Sequence, residues 1–245
     1  IDGYGVRPVT RNGSINLSPA WNPTGTEIAW TSFKRENPDI YAKDLRTGRT
    51  RVLSAQPGIN IGAAYSPDGT RIALTRNVGG DSDIFIVDAA TGKELQRLTE
   101  GGGIDVAPSW SPDGKRIVFS SERSGGSQIF VADVSTGSAK RISRQGDFNT
   151  DPVWSPDGSR VAFVGRDPTF DVFVHDLDSG RTLRITEHMG NNEDPSWSPD
   201  GDYLVFSSTR NGTSEIWLAT ADGRHQAPVT PGKGGWTQPV WSPSR

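Results

Sequence analysis

The phrase Trp110-Ser111-Pro112-Asp113-Gly114 recurs along this chain. It stands as Trp21-Asn22-Pro23-Thr24-Gly25, Tyr65-Ser66-Pro67-Asp68-Gly69, Trp154-Ser155-Pro156-Asp157-Gly158, Trp197-Ser198-Pro199-Asp200-Gly201 and, cut short, Trp241-Ser242-Pro243-Ser244-Arg245. Successive copies lie 44, 45, 44, 43 and 44 residues apart. A constant period of about 40–45 residues marks a β-propeller in which each repeat is one four-stranded blade. Proline fixes φ and glycine supplies a positive φ, so the phrase reads as a tight turn after a short strand.

Reading outward from Tyr65 gives the rest of a blade. Ala63 to Tyr65 is a strand and Arg71 to Thr75 the next. Asn77 to Ser82 reads as a loop, Asp83 to Asp88 as the third strand and Glu94 to Thr99 as an alternating outer strand. The second strands (Ile28-Ala29-Trp30, Ile117-Val118-Phe119, Val161-Ala162-Phe163, Leu204-Val205-Phe206) are apolar at nearly every position. Such strands are covered on both faces, as in stacked blades. The outer strands carry charge, as in Lys140-Arg141-Ile142, which discourages edge pairing with another chain.

The two ends set the blade count. Asp2-Gly3, Pro8, Val9 and Thr10 match Asp222-Gly223, Pro228, Val229 and Thr230 at an offset of 220, five periods. The expectation is an all-β propeller of antiparallel blades forming one domain over 1–245. It has five complete blades plus the inner and outer strands of a sixth, a six-bladed plan. The middle strands of that sixth blade are missing, which suggests a chain trimmed from a longer one or a ring filled by another segment, with a strained five-bladed ring as the third option.

Bulk composition narrows the function. Of 245 residues 33% are hydrophobic, with 29 Gly and 17 Pro, as expected for short strands and many turns. Twenty-six Lys and Arg against 29 Asp and Glu leave a net charge of −3, so a phosphate-neutralising nucleic-acid surface is not expected. No apolar run is long enough for a membrane-spanning helix. Cysteine is absent, excluding disulfides and thiolate metal sites. There is no Gly-x-Ser-x-Gly elbow, and His175, His188 and His225 show no metal-ligand spacing.

The loops leading into the inner strands form the expected functional face. Five residues before each Trp or Tyr stand Asn16, Asn60, Asp105, Asn149, Asn192 and Trp236. Recurrence there points to turn capping by side chain–backbone bonds. Three residues before stand Ser18, Gly62, Ala107, Asp151, Asp194 and Gln238, a column that varies. Asp105, Asp151, Glu193 and Asp194 are expected to make a negative rim around the channel mouth, with Trp236 and Gln238 beside it. The rim has three open readings: a solvated edge, a dock for a basic surface, or oxygen ligands for a calcium ion at Asp151 and Asp194. The recurrent Asp68, Asp113, Asp157 and Asp200 read as turn residues. Arg35, Arg76, Arg123, Arg166 and Arg210 read as structural partners of nearby carboxylates.

Trp-Ser-Pro-Asp-Gly, the Arg-Ile-Val-Phe type of strand, Ile-Phe-Val-x-Asp and Thr-Gly together resemble the TolB-like propeller repeat family, over about 230 of the 245 residues. The ending Gln238-Pro239-Val240-Trp241-Ser242-Pro243 is similar to the end of that propeller domain. The resemblance implies a non-enzymatic protein-binding scaffold in the bacterial envelope, periplasmic or secreted, with a lipoprotein of the Pal type as partner and no resident cofactor. The family's separate N-terminal domain and TolA-binding peptide are not seen in this sequence. The same repeats occur in sugar lyases and peptidase propellers, so a carbohydrate-active or sugar-binding channel is the alternative. A trimmed or engineered scaffold without its own ligand is the second. Fold alone does not choose among them.

Overall fold

Twenty strands form five separate four-stranded antiparallel sheets in the computed structural model, which describes residues 7–230 and 235–243. The first blade is β1 (Asn16–Trp21), β2 (Glu27–Ser32), β3 (Asp39–Asp44) and β4 (Thr50–Ser54). The second is β5 (Asn60–Tyr65), β6 (Arg71–Val78), β7 (Asp81–Asp88) and β8 (Glu94–Arg97). The third is β9 (Asp105–Trp110), β10 (Arg116–Ser121), β11 (Gln128–Asp133) and β12 (Ala139–Arg141). The fourth is β13 (Asn149–Trp154), β14 (Arg160–Arg166), β15 (Phe170–Asp176) and β16 (Thr182–Arg184). The fifth is β17 (Asn192–Trp197), β18 (Tyr203–Ser208), β19 (Glu215–Thr220) and β20 (Gln226–Pro228). Within every blade the strands pair in sequence order, because each connection is a short turn.

The repeated phrase forms the first turn of each blade. Gly69 N–H donates to the Ser66 carbonyl at 2.8 Å, and Gly114, Gly158 and Gly201 make the equivalent bond. The turn aspartates do what their spacing suggested. Asp68 accepts the Ser66 hydroxyl and the Thr70 N–H at 3.0 Å. The Ser66 bond, then the backbone N–H, hold its carboxyl down to about 2.

Apolar burial lies between blades. Ala29, Ile40 and Ala42 of the first pack against Ile72, Leu74 and Phe85 of the second. Ile84 and Ile86 of the second pack against Ile117 and Phe119 of the third. Val118 and Ile129 meet Trp154 and Phe163, and Val172 and Val174 meet Leu204 and Phe206. A buried apolar side chain of this size contributes roughly 1.5–3 kcal/mol relative to exposure, so the seams hold the ring together.

The six-bladed plan is corrected: the propeller has five four-stranded blades. Among the described residues, no inner or outer strand of a sixth blade forms. Residues 7–15 and 235–243 are irregular chain, and Asp2-Gly3 lie outside the described residues. The sequence match supplied no middle strands to join these segments, and a strand without a ladder partner leaves its backbone groups unpaired. Residues 235–243 instead bond sideways. Trp241 N–H donates to Ser196 Oγ of the fifth blade at 3.3 Å, and Ser18 N–H of the first donates to Gln238 Oε1 at 2.7 Å. The expected loop 77–82 is a hairpin. Val78 pairs with Asp81, because Gly79 and Gly80 take φ of 66° and 103° and need only two residues to turn.

Candidate functional site: the bulged ring at the channel mouth

Every inner strand breaks its ladder at the same place. The register shifts between Leu17 and Ala20, between Ile61 and Ala64, and at the corresponding points of β9, β13 and β17. The residue at each break has a positive φ: Ser18 51°, Gly62 68°, Ala107 54°, Asp151 49° and Asp194 56°, with Gln238 at 53° repeating it in the closing segment. For residues other than glycine this region costs roughly 1–2 kcal/mol each. The proline that follows at 19, 108, 152, 195 and 239 lacks the N–H that a bulge would orphan. The sequence thus writes a β-bulge into each blade, and bulges re-aim side chains.

All six bulge residues line one cavity of about 370 Å³ on the propeller axis. Its composition is lopsided. Ser18, Gly62 and Ala107 are small, whereas Asp151, Asp194 and Gln238 follow one another on the other side. Two of the three polar residues are committed. Asp194 Oδ2 accepts Ser207 Oγ at 2.9 Å and Gln238 N–H at 3.2 Å, and Gln238 Oε1 accepts Ser18 N–H. Asp151 lacks such a clamp among the described residues. Burial, then the charges of Asp194 and Glu193, push its carboxyl up to about 6. Burial and then Asp194 raise Glu193 as well.

The family model described as TolB beta propeller domain matches residues 1–245. The chain belongs to the TolB beta-propeller family. Among curated relatives, the Tol-Pal system protein TolB of Desulfosudis oleivorans is 45% identical over 56 residues, which is 23% of this chain and 13% of that protein. TolB from Acinetobacter baumannii has a TM-score of 0.89 at 32% identity, covering 96% of this chain and 59% of that one. The putative TolB from Agrobacterium tumefaciens has a TM-score of 0.82 at 23% identity, covering 91% of this chain and 83% of that one. This chain therefore spans less than two thirds of the Acinetobacter protein. An oligogalacturonate lyase from Vibrio parahaemolyticus, at 17% identity and a TM-score of 0.63 over 90% of this chain and 67% of that one, shares the fold alone.

In this TolB-family propeller the remaining predicted residues divide. Trp236 is 41% exposed, its N–H bonded to Ser214 O at 3.0 Å on the flank of the fifth blade. It does not line the cavity. Asp105 is fully buried, paired with Arg123 at 2.7 Å, and stands away from the rim. The Asn column caps the preceding loops as expected. Asn60, Asn149 and Asn192 donate to Gln56 O, Gln145 O and Gly190 O. Four of the five predicted arginines pair with carboxylates: Arg35 with Asp39, Arg76 with Glu94, Arg123 with Asp105 and Arg166 with Asp147. Arg210 bonds Asn192 and Gln226 and stacks 4.1 Å from Trp217.

His175 is buried against Thr182, and burial lowers its pKa. His188 lies 3.3 Å from Arg184. Among the described residues no group of three or more His, Asp or Glu side chains is arranged to hold a metal. Sequence reasoning missed the bulge itself. The X-Pro pairs at fixed distance from each Trp were its signal.

Proposed function

We propose that residues 1–245 act as one rigid, non-enzymatic docking domain of the bacterial envelope, holding a protein partner against the acidic half of the channel mouth. The observation that carries this reading is the bulged ring. Five strained non-glycine positions present side chains to one cavity, and backbone strain concentrates where it serves function. Asp151 is the ring's unclamped charge, beside Asp194 and Glu193. Trp236 adds an exposed aromatic of the kind enriched in binding hot spots. Stacked blades fix these groups before the partner arrives, so little conformational entropy is lost on docking.

The name of the Desulfosudis oleivorans relative, a Tol-Pal system protein, supports a lipoprotein of the Pal type as partner and a periplasmic location. The test is a calorimetric titration of a soluble Pal-type domain into the wild-type chain and into Asp151→Lys. A loss of roughly tenfold or more is expected, about 1.4 kcal/mol. An unchanged affinity removes the acidic rim from the contact.

A further inference from the structure

Consecutive blades, from the first to the fifth, meet at a buried polar cluster built around the Asn column. At the seam of blades four and five, Asn192 Oδ1 accepts Arg210 Nη2 at 2.9 Å, and Asn192 Nδ2 donates to Asp171 Oδ1 at 3.1 Å. Thr186 Oγ1 donates to the same Asp171 oxygen at 2.6 Å. At the seam of blades three and four, Asn149 Nδ2 donates to Gln128 Oε1 at 3.0 Å, and Ser143 completes the clip at 2.6 Å. At the seam of blades one and two, Asn60 Oδ1 accepts Ser54 Oγ at 2.8 Å. An amide suits this place because it donates and accepts at once.

The seam of blades two and three differs. Asp105 takes the place of the asparagine, Asp83 that of Asp171 and Thr99 that of Thr186. Asp105 and Asp83 are fully buried and Thr99 is 4% exposed. Asp105 Oδ2 accepts Arg123 Nη2 at 2.7 Å, as Asn192 Oδ1 accepts Arg210. Asp105 Oδ1 therefore stands where the other seam has a donating nitrogen. It has no hydrogen-bond partner among the described residues. Thr99 Oγ1 reaches Asp83 only at 3.5 Å.

We propose that Asp105 is a proton site built into this seam: a proton taken up on Oδ1 is donated to Asp83 across the blades, so that acid closes a clip which neutral pH leaves open. The proton comes from solvent, and no other bond changes. Burial raises the Asp105 pKa, outweighing the nearby Ser121 and Thr99 hydroxyls and Arg123, which favour its charged form. The charged groups facing the cluster are Asp81 and Asp83 from β7, Arg97 from β8, Glu100 from the loop after it, and Glu122 and Arg123 from the loop after β10. Arg97 bonds Asp83 at 2.6 Å. With one guanidinium already on each buried carboxylate, a metal cation has no uncompensated charge to answer, and a neutral donor suffices. Val106 and the bulge residue Ala107 follow directly, so the seam sets one wall of the channel.

A carboxyl whose folded pKa is raised stabilises the fold below about pH 3.8, and that contribution is lost as pH rises through the folded value. Asp105→Asn supplies the missing donor at every pH. Its Tm is expected to exceed wild type by roughly 3–6 °C at pH 7.5, the gain shrinking toward zero near pH 4. The reverse exchange, Asn192→Asp, sets two carboxyls face to face and is expected to lower Tm at pH 7.5 and to recover toward pH 4. Asn149→Asp costs less, because Gln128 can turn its amide to donate. In the wild-type chain, hydrogen exchange across residues 104–106, corrected for intrinsic pH dependence, is expected to slow relative to residues 191–193 as pH falls. A gain for Asp105→Asn that is equal at both pH values, or a loss at pH 7.5, overturns the proposal. So does a wild-type Tm that rises with millimolar calcium and falls with chelator, the mark of a cation in the clip.

Discussion

Near the end of the inner strands, Trp21, Tyr65, Trp154, Trp197 and Trp241 and the prolines after them line a cavity of about 360 Å³. Nearer the start of the same strands, Ser18, Gly62, Ala107, Asp151, Asp194 and Gln238 line one of about 370 Å³. At the first end the side chain recurs, and in three blades an arginine of the preceding blade lies over the tryptophan ring. Arg71 stacks 4.6 Å from Trp110, Arg116 lies 4.8 Å from Trp154 and Arg160 lies 4.7 Å from Trp197. At the second end the backbone recurs and the side chain does not. A packing role fixes residue type. A presentation role fixes geometry and leaves the side chain free to suit a partner.

The largest effect expected from this contrast is at the aromatic end. Trp154 is 5% exposed, donates to Gly158 O at 3.1 Å and carries Arg116 on its face. Trp154→Ala is expected to lower stability by about 3–5 kcal/mol in urea unfolding, with partner affinity of the folded fraction unchanged. A loss below about 1 kcal/mol would break the comparison.

Tyr65 is the informative exception. Where other seams pair Arg with Trp, the first blade offers Glu27, and the Tyr65 hydroxyl donates to Glu27 Oε1 at 2.5 Å while Arg51 also binds Glu27. Burial and then that carboxylate raise the Tyr65 pKa. The two departures from the repeat therefore belong together. Glu27→Arg and Tyr65→Trp are each expected to destabilise alone, and the pair to recover part of the loss. A double-mutant cycle should show coupling of about 1–2 kcal/mol. Additive effects would mean that the aromatic end tolerates exchange and is less specified than its recurrence suggests.

This exception shows how far the sequence reaches. The period, the turn phrase and the apolar runs are local, so Tyr65 was recognisable as a copy of Trp and Asp113 as a turn residue. The Glu27–Tyr65 bond joins residues 38 apart in sequence, and only the stacking of blades brings them together. The ring count failed for a related reason. Pro239 to Ser242 repeat Pro152 to Ser155 letter by letter, but strand formation depends on neighbours the repeat does not provide. Asp105 likewise read as a rim residue by column position. Whether that column points to solvent or into a seam is decided by the next blade.

At the bulged end the expected effects are smaller, and stability and binding move apart. Asp151 has a carboxyl pushed up to about 6, so its ionisation weakens the fold as pH rises from about 4 through 6. Asp151→Asn removes that ionisation. Its Tm is expected to exceed wild type by about 2–4 °C at pH 7.5 and to match it near pH 4. If the charged rim receives a basic surface, wild-type affinity rises over the same interval and the variant's does not. A variant that gains stability and keeps full affinity at pH 7.5 would leave Asp151 strained without serving the partner.

The smallest effect probes the silent half of the ring. Ala107 and Gly62 occupy equivalent bulges of β9 and β5 with φ of 54° and 68°. A Cβ on Gly62 would meet only Pro108 Cδ, at an ordinary 3.8 Å, so Gly62→Ala isolates the backbone cost. Ala107→Gly relieves that cost while giving the unfolded chain more freedom. Opposite terms of about 1 kcal/mol each leave a net change within roughly 0.5–1 kcal/mol. Gly62→Ala is expected to lose about 1 kcal/mol, and neither variant to alter partner affinity, since both lie in the small-residue half of the ring. An affinity change for either would extend the docking surface around the whole mouth, and the division between an acidic, partner-facing half and a small-residue, structural half would fall.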